Sequence, residues 1–261
     1  YWDLDGGLIP LPGDGLGIRA LIAATGFGTV AGYALFTLAA GAYAAMVLGV
    51  LPNVAVPIAF VATVVQTYWN NLPLSSAHQV LVVVLFALAF ADCGQFLTLA
   101  GGRRGGYAHR MLRQPVWPLR LIQFQVALLY LNSGLWKFYG PSWRDGSAIY
   151  WALNHDIFHR WPILLPDWAL PLAAFGTYLT LWWEIGFPAL AAWRRTRLLA
   201  LGLGVLLHAG VWLTLEVGPF SVMMMATYLA FLDPRAVARV VDGLRVRTRA
   251  PVRAMQRVKT A

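Results

Sequence analysis

Charge is what this sequence has least of. Only 12% of its 261 residues are Asp, Glu, Lys or Arg, about half the ~25% of an ordinary globular domain, which excludes a water-soluble fold of the usual kind. Cysteine is nearly absent too. Cys93 stands alone, so neither an internal disulfide nor a thiolate zinc site is available, and its apolar run makes it a packing residue. Lysine is scarcer than arginine: Lys137 is the only one before Lys259. The chain also opens at Tyr1 without Met, basic n-region or cleavable apolar segment, so no signal peptide is visible. Residues before Tyr1, including one further span, are expected.

What fills the chain is apolar: hydrophobic residues make up 59% and the mean hydropathy is +0.62. With about 20 apolar residues per span, the expected fold is all-α, a polytopic transmembrane helix bundle of about seven spans in one domain over 1–234. The spans run near 26–50, 54–68, 77–100, 118–139, 168–193, 198–217 and 219–232. Gly28 and Gly32 give the first a small-residue packing face. The segment 235–261 is a basic tail. The Gly13-Asp14-Gly15-Leu16-Gly17 stretch has neither the strand nor the spacing of a phosphate loop and reads as a turn.

The net charge of +9 follows topology rather than nucleic acid. Arg103, Arg104, Arg110 and Arg113, the Arg194-Arg195-Thr196-Arg197 turn and the tail all fall on one side of the bundle. The positive-inside rule makes that side, and the C-terminus, cytoplasmic, with the tail near anionic lipid. The acidic N-terminal loop, the 71–76 turn, the long 140–167 connection and Gly218-Pro219 then face outward, as in a bacterial inner membrane.

Polar residues inside apolar runs are the site candidates, because each is expensive there unless it has a partner or a task. Asn70 and Asn71 end a short second span. Counted by helical rise from the cytoplasmic ends, Asp92, Glu184 and His208 share a depth of roughly 12–15 Å, an intramembrane polar layer. That layer serves equally as a structural lock or a substrate and proton site. Lys137 lies roughly 27 Å along its helix, near the outer boundary. Two roles fit it: a lysine snorkelling to the interface, or a desolvated amine acting as a base. In the long outer loop, Arg144, His155 and His159 stand among tryptophans. The two histidines are four apart, but no Glu completes a metal motif and no metal site is assigned.

Several of these stretches together resemble the HTTM membrane domain, shared by vitamin K-dependent gamma-carboxylases and many bacterial proteins. They are Tyr68-Trp69-Asn70-Asn71, Ser133-Gly134-Leu135-Trp136-Lys137 followed by Trp143-Arg144-Asp145-Gly146, Glu184-Ile185-Gly186-Phe187-Pro188, and His208 with Gly218-Pro219-Phe220-Ser221. The resemblance implies that Lys137 is the amine base that deprotonates a reduced quinone, with Asn70, Asn71 and His208 supporting the pocket. It implies carboxylase- or epoxidase-like chemistry, with membrane lipid, a quinone or a small peptide as partner. Two departures count against a peptide-glutamate carboxylase: Leu72 stands where the carboxylases have histidine, and no large outer domain follows Asp233. The competing expectation is a non-catalytic subunit, working with other membrane subunits in assembly or in small-peptide maturation and export. Transport, resting on the polar layer alone, has no internal repeat behind it.

Overall fold

The computed structural model describes residues 28–69, 76–95, 115–158, 160–161 and 164–240. Among them every extended element is a helix and there is no β-strand. The chain forms two compact units, one of 1–72, 85–118 and 232–261, the other of 73–84 and 119–231.

In the first unit, α1 (Gly28–Leu48) and α2 (Pro52–Trp69) pack against each other. Small side chains make this possible: Ala39 and Ala42 on α1, and Ala55, Ala59 and Ala62 on α2, are all buried. Gly28 and Gly32 are buried as well, in keeping with a face that lets a second backbone come close. The Tyr43 hydroxyl meets the Thr63 hydroxyl, which itself donates to the Ala59 carbonyl at 2.6 Å, so no polar atom of that pair is stranded. Phe60 of α2 lies 5.6 Å from Phe86 of α3 (Ser76–Ala89), which in turn stacks edge-on to Phe90 at 5.1 Å.

Of the third span expected over 77–100, the helix Ser76–Ala89 ends at Ala89, and residues 96–100 lie outside the described residues. The chain then turns, and Cys93–Gln95 form a short 3-10 turn. Asn53, in the first turn of α2, accounts for the break: its carboxamide donates to Asp92 at 2.7 Å and accepts the Gly94 amide at 2.7 Å. Asp92 is therefore a loop residue hydrogen-bonded within this unit, not a helical residue at mid-depth.

The second unit holds α4 (Trp117–Tyr139, whose first residues belong to the first unit), α5 (Pro141–Arg144), α6 (Ala148–Asn154), α7 (Leu170–Ala192), α8 (Arg197–Thr214) and α9 (Phe220–Thr227). Pro118, Pro141 and Pro171 stand in first turns, where the missing N–H costs nothing. Helix α7 packs against α5, α6 and α8, and α8 against α9. Phe187, Met224, Thr177 and Ser221 lie in the fully buried centre.

Among the described residues, two helices, Val30–Leu48 and Arg197–Thr214, are both long and apolar enough to cross a membrane, while Pro52–Thr67, Ser76–Ala89 and Phe220–Phe231 are shorter apolar helices. Helices α4 and α7 have 23 residues each, about 34 Å of rise, but amides, tryptophans and the charges of Lys137 and Glu184 dilute their hydropathy.

In the 140–167 connection, Gly146 adopts φ +84°, and a Cβ there would come within 3.0 Å of the Tyr178 ring. Glycine is needed on both counts. Asp145 accepts from the Ser147 amide at 2.9 Å and its hydroxyl at 2.6 Å, setting the chain for α6. Those two hydrogen bonds hold the Asp145 carboxyl below its usual 3.8. A depressed native value means the contribution is complete above the unfolded value and is lost as pH falls through the native one. The Ser147 amide resonance should therefore shift on acidification from about pH 6 to about pH 2. Asp145→Asn, which keeps an acceptor oxygen but no titrating group, should abolish that shift; a shift that survives would count against the turn.

Further on, Arg160 pairs with Glu216 at 3.1 Å and lies over the Trp212 ring. The Arg160 amide donates to the Thr214 carbonyl at 3.0 Å and the Glu216 amide to the Phe158 carbonyl at 2.7 Å. This isolated bridge, with Trp161 Nε1 donating to Leu213 at 2.7 Å, ties the loop to the end of α8.

Candidate functional site

Lys137 occupies the last turn of α4, where a cation complements the free carbonyls and the negative end of the helix dipole. Its ammonium forms an ion pair with Glu184 of α7. Gly134 makes the pair possible: one turn before Lys137, it lets α4 meet α7 so closely that a Cβ would sit 2.9 Å from the Ile185 nitrogen. The pair is lopsided in access. The Lys137 side chain is 24% exposed, the Glu184 side chain 9%. Lys137 also lies 4.9 Å from the ring centre of Trp143, which α5 presents after the Gly140-Pro141 turn. An aromatic face is an attractive second contact for an ammonium.

Two turns earlier on the same face of α4, Tyr130 is 2% exposed. Its hydroxyl meets His208 Nε2 of α8 at 2.7 Å and the Tyr228 hydroxyl at 2.6 Å. Trp183 and Phe187 of α7 hold the Tyr130 ring at centroid distances of 4.8 and 4.5 Å, and Trp183 is itself anchored by an Nε1 bond to the Ala200 carbonyl at 3.0 Å. Phe220 lies edge-on to His208 at 5.7 Å. Three buried polar atoms of this region, Glu184 Oε2, His208 Nδ1 and Ser221 Oγ, have no hydrogen-bond partner among the described residues. Buried polar atoms are rarely left so unless something else engages them.

Of the residues singled out from sequence, Lys137, Glu184 and His208 thus gather on α4, α7 and α8. Asp92 belongs to the other unit and hydrogen-bonds Asn53. Asn70, Asn71 and His159 lie outside the described residues. Arg144 is exposed and its carbonyl accepts the Tyr178 hydroxyl at 2.9 Å. His155 caps α6 in extended geometry, φ −88° and ψ 123°, and is exposed, with its ring near Phe158. The helical histidine pair required an α-helix through 155–159, and α6 ends at Asn154. Sequence reading missed Tyr130 and Tyr228. The signal for Tyr130 was its seven-residue spacing from Lys137, which puts both on one helix face.

These geometries fall inside a longer match. The profile of the family described as HTTM domain covers residues 27–235 of the chain. The chain belongs to the HTTM domain family. HTTM proteins are membrane-associated, in accord with the apolar helices here. Among curated relatives, the sporulation-delaying protein SdpB of Bacillus subtilis is 25% identical over 126 residues, 44% of this chain and 38% of the relative. The match thus covers well under two thirds of that HTTM relative's length. No solved structure matches the chain.

Proposed function

We propose that this HTTM protein is a polytopic, roughly seven-span integral protein of a bacterial inner membrane, its C-terminus cytoplasmic. In this reading its Lys137–Glu184 pair performs acid–base chemistry on a reduced quinone or lipid-linked substrate at the outer face. The supporting observation is the ion pair itself: a carboxylate almost closed off, with one oxygen unmatched, joined to an ammonium that remains accessible. A substrate hydroxyl approaching this pair delivers its proton to the accessible Lys137 Nζ as that ammonium passes one of its own protons to the Glu184 carboxylate. The oxyanion left behind is then held by the Lys137 ammonium. The pair, rather than a free amine, is the base, and proton and charge balance within it. Trp143 shields the ammonium from solvent on one side, and a dry setting strengthens its hold on an anion.

Likeness to a protein named for delaying sporulation favours a second reading, a non-catalytic subunit in complex assembly or small-peptide maturation. One experiment separates the two. The protein is purified in gentle detergent and supplied with reduced menaquinone under oxygen, with quinol consumption followed optically. Turnover should fall at least about a hundredfold in Lys137→Ala and in Glu184→Gln, the usual scale for loss of a general base. Absent turnover, together with a stoichiometric co-purifying subunit or peptide, would establish the second reading instead.

A further inference from the structure

The stretch Gly218-Pro219-Phe220-Ser221 opens α9, and Phe220 lies edge-on to His208 of α8 at 5.7 Å, so the start of α9 stands against the imidazole. No side chain caps α9 at Pro219, which leaves first-turn amides that have no acceptor within the helix. In that turn Ser221 is fully buried, and its hydroxyl has no partner among the described residues. Ser221, Met224 and Tyr228 recur on one buried face. That face is turned to α8: the Tyr228 hydroxyl sits so close to Gly204 that a Cβ there would collide with it, and His208 follows Gly204 by one helical turn.

The hydrogen bonds of His208 also fix which of its nitrogens carries the proton. Tyr130 has one hydroxyl proton and two neighbours, His208 Nε2 at 2.7 Å and the Tyr228 hydroxyl at 2.6 Å. If Tyr130 donates to Nε2 and accepts from Tyr228, both hydroxyl protons are used and only an Nδ1–H is unmatched. With the proton on Nε2 instead, one tyrosine proton and the bare Nδ1 are both unmatched. Each unmatched group is costly in a buried setting, so the first arrangement prevails and His208 is the Nδ1–H tautomer. Its Nδ1 is buried and without a partner among the described residues. An imidazole N–H, a serine hydroxyl and free helix amides are all donors, and what satisfies donors is an oxygen lone pair.

We propose that the start of α9, with Ser221 and His208, binds an acceptor oxygen of a ligand, a carbonyl or a carboxylate, reached from the exposed Gly218-Pro219 turn. Tyr130 and Tyr228 are positioning residues: they touch no ligand but hold the imidazole in the tautomer that donates from Nδ1. The site shares no residue with the Lys137–Glu184 pair, so turnover at the pair and binding here can fail separately.

The test uses the full chain in lipid nanodiscs, isotopically labelled at the ring nitrogens of its five histidines, with the His208 signal assigned by its loss in His208→Gln. Nitrogen NMR separates a protonated ring nitrogen from a bare one and should show Nδ1 protonated. Tyr130→Phe, which keeps the ring between Trp183 and Phe187 but removes the donor to Nε2, should shift the proton toward Nε2. Three probes are then titrated: oxidised menaquinone for a carbonyl, decanoate for a carboxylate, and decane for neither. At least one of the first two should move the Nδ1 signal saturably while decane does not, and the responding probe identifies the oxygen type. Ser221→Ala should weaken that binding about fivefold, the scale of one hydrogen bond. Should that variant fail to fold, Tyr130→Phe should weaken the same binding. A proton on Nε2 in the unaltered protein, no saturable response to either oxygen probe, an equal response to decane, or unchanged affinity in folded Ser221→Ala would overturn the proposal.

Discussion

Replacing Lys137 with methionine while Glu184 stays in place should destabilise the protein by about 2–4 kcal/mol. Removing one partner of a buried pair commonly costs about 3–5 kcal/mol, and the 24% exposure of the lysine side chain calls for a discount, because solvent screens part of the interaction. The cause is the carboxylate left behind: Glu184 is 7% exposed and one of its oxygens has no partner among the described residues. The double variant Lys137→Met/Glu184→Gln removes both charges and should regain most of the loss. Unfolding of the four proteins of this cycle in detergent measures the coupling, expected above about 1 kcal/mol. Additive single effects would mean the two side chains do not act as a pair.

Gly134→Ala should reproduce that loss without touching either charge. The added methyl would meet the Ile185 nitrogen at 2.9 Å and the Glu184 Cβ at 3.1 Å. The first of these is helix backbone, which cannot swing aside as a side chain does, so α4 and α7 must separate. Overpacking of this kind costs about 1–3 kcal/mol. Its second effect is specific: Lys137 is drawn off Glu184, so Lys137→Met should add little further destabilisation in the Gly134→Ala background. Full, independent penalties would show that the close approach at Gly134 does not support the ion pair. Gly202→Ala provides the control, since nothing lies within 4 Å of that position.

The helical class, the two apolar helices at Val30–Leu48 and Arg197–Thr214, and the break at Gly218-Pro219 could all be read from composition and periodicity. The pairing of Lys137 with Glu184 could not. Counting rise from helix ends assigned them different depths, because it assumed that neighbouring helices start level. Instead the last turn of α4 meets the middle of α7 at Gly134, an offset encoded in where one glycine permits contact. Asp92 was misplaced for another reason. The apolar run continues past Ala89 without a break signal, and what stops the helix is Asn53, some forty residues earlier in sequence. Tyr130 and Tyr228 were invisible as polar residues because tyrosine serves an apolar core equally well. Only the fold brings their hydroxyls onto His208.

The bridge that joins Phe158 and Arg160 to Glu216 and Thr214 has a mechanical consequence. Helix α8 is a continuous rod of 18 residues with no interior proline, and it carries His208 less than two turns from the end where the loop is fastened. A rod that short does not bend appreciably, so the imidazole and the loop segment travel as one body. Any tilt of α8 that retunes the Tyr130 contact also repositions Arg160 and Trp161, and a force applied to that loop is felt at His208.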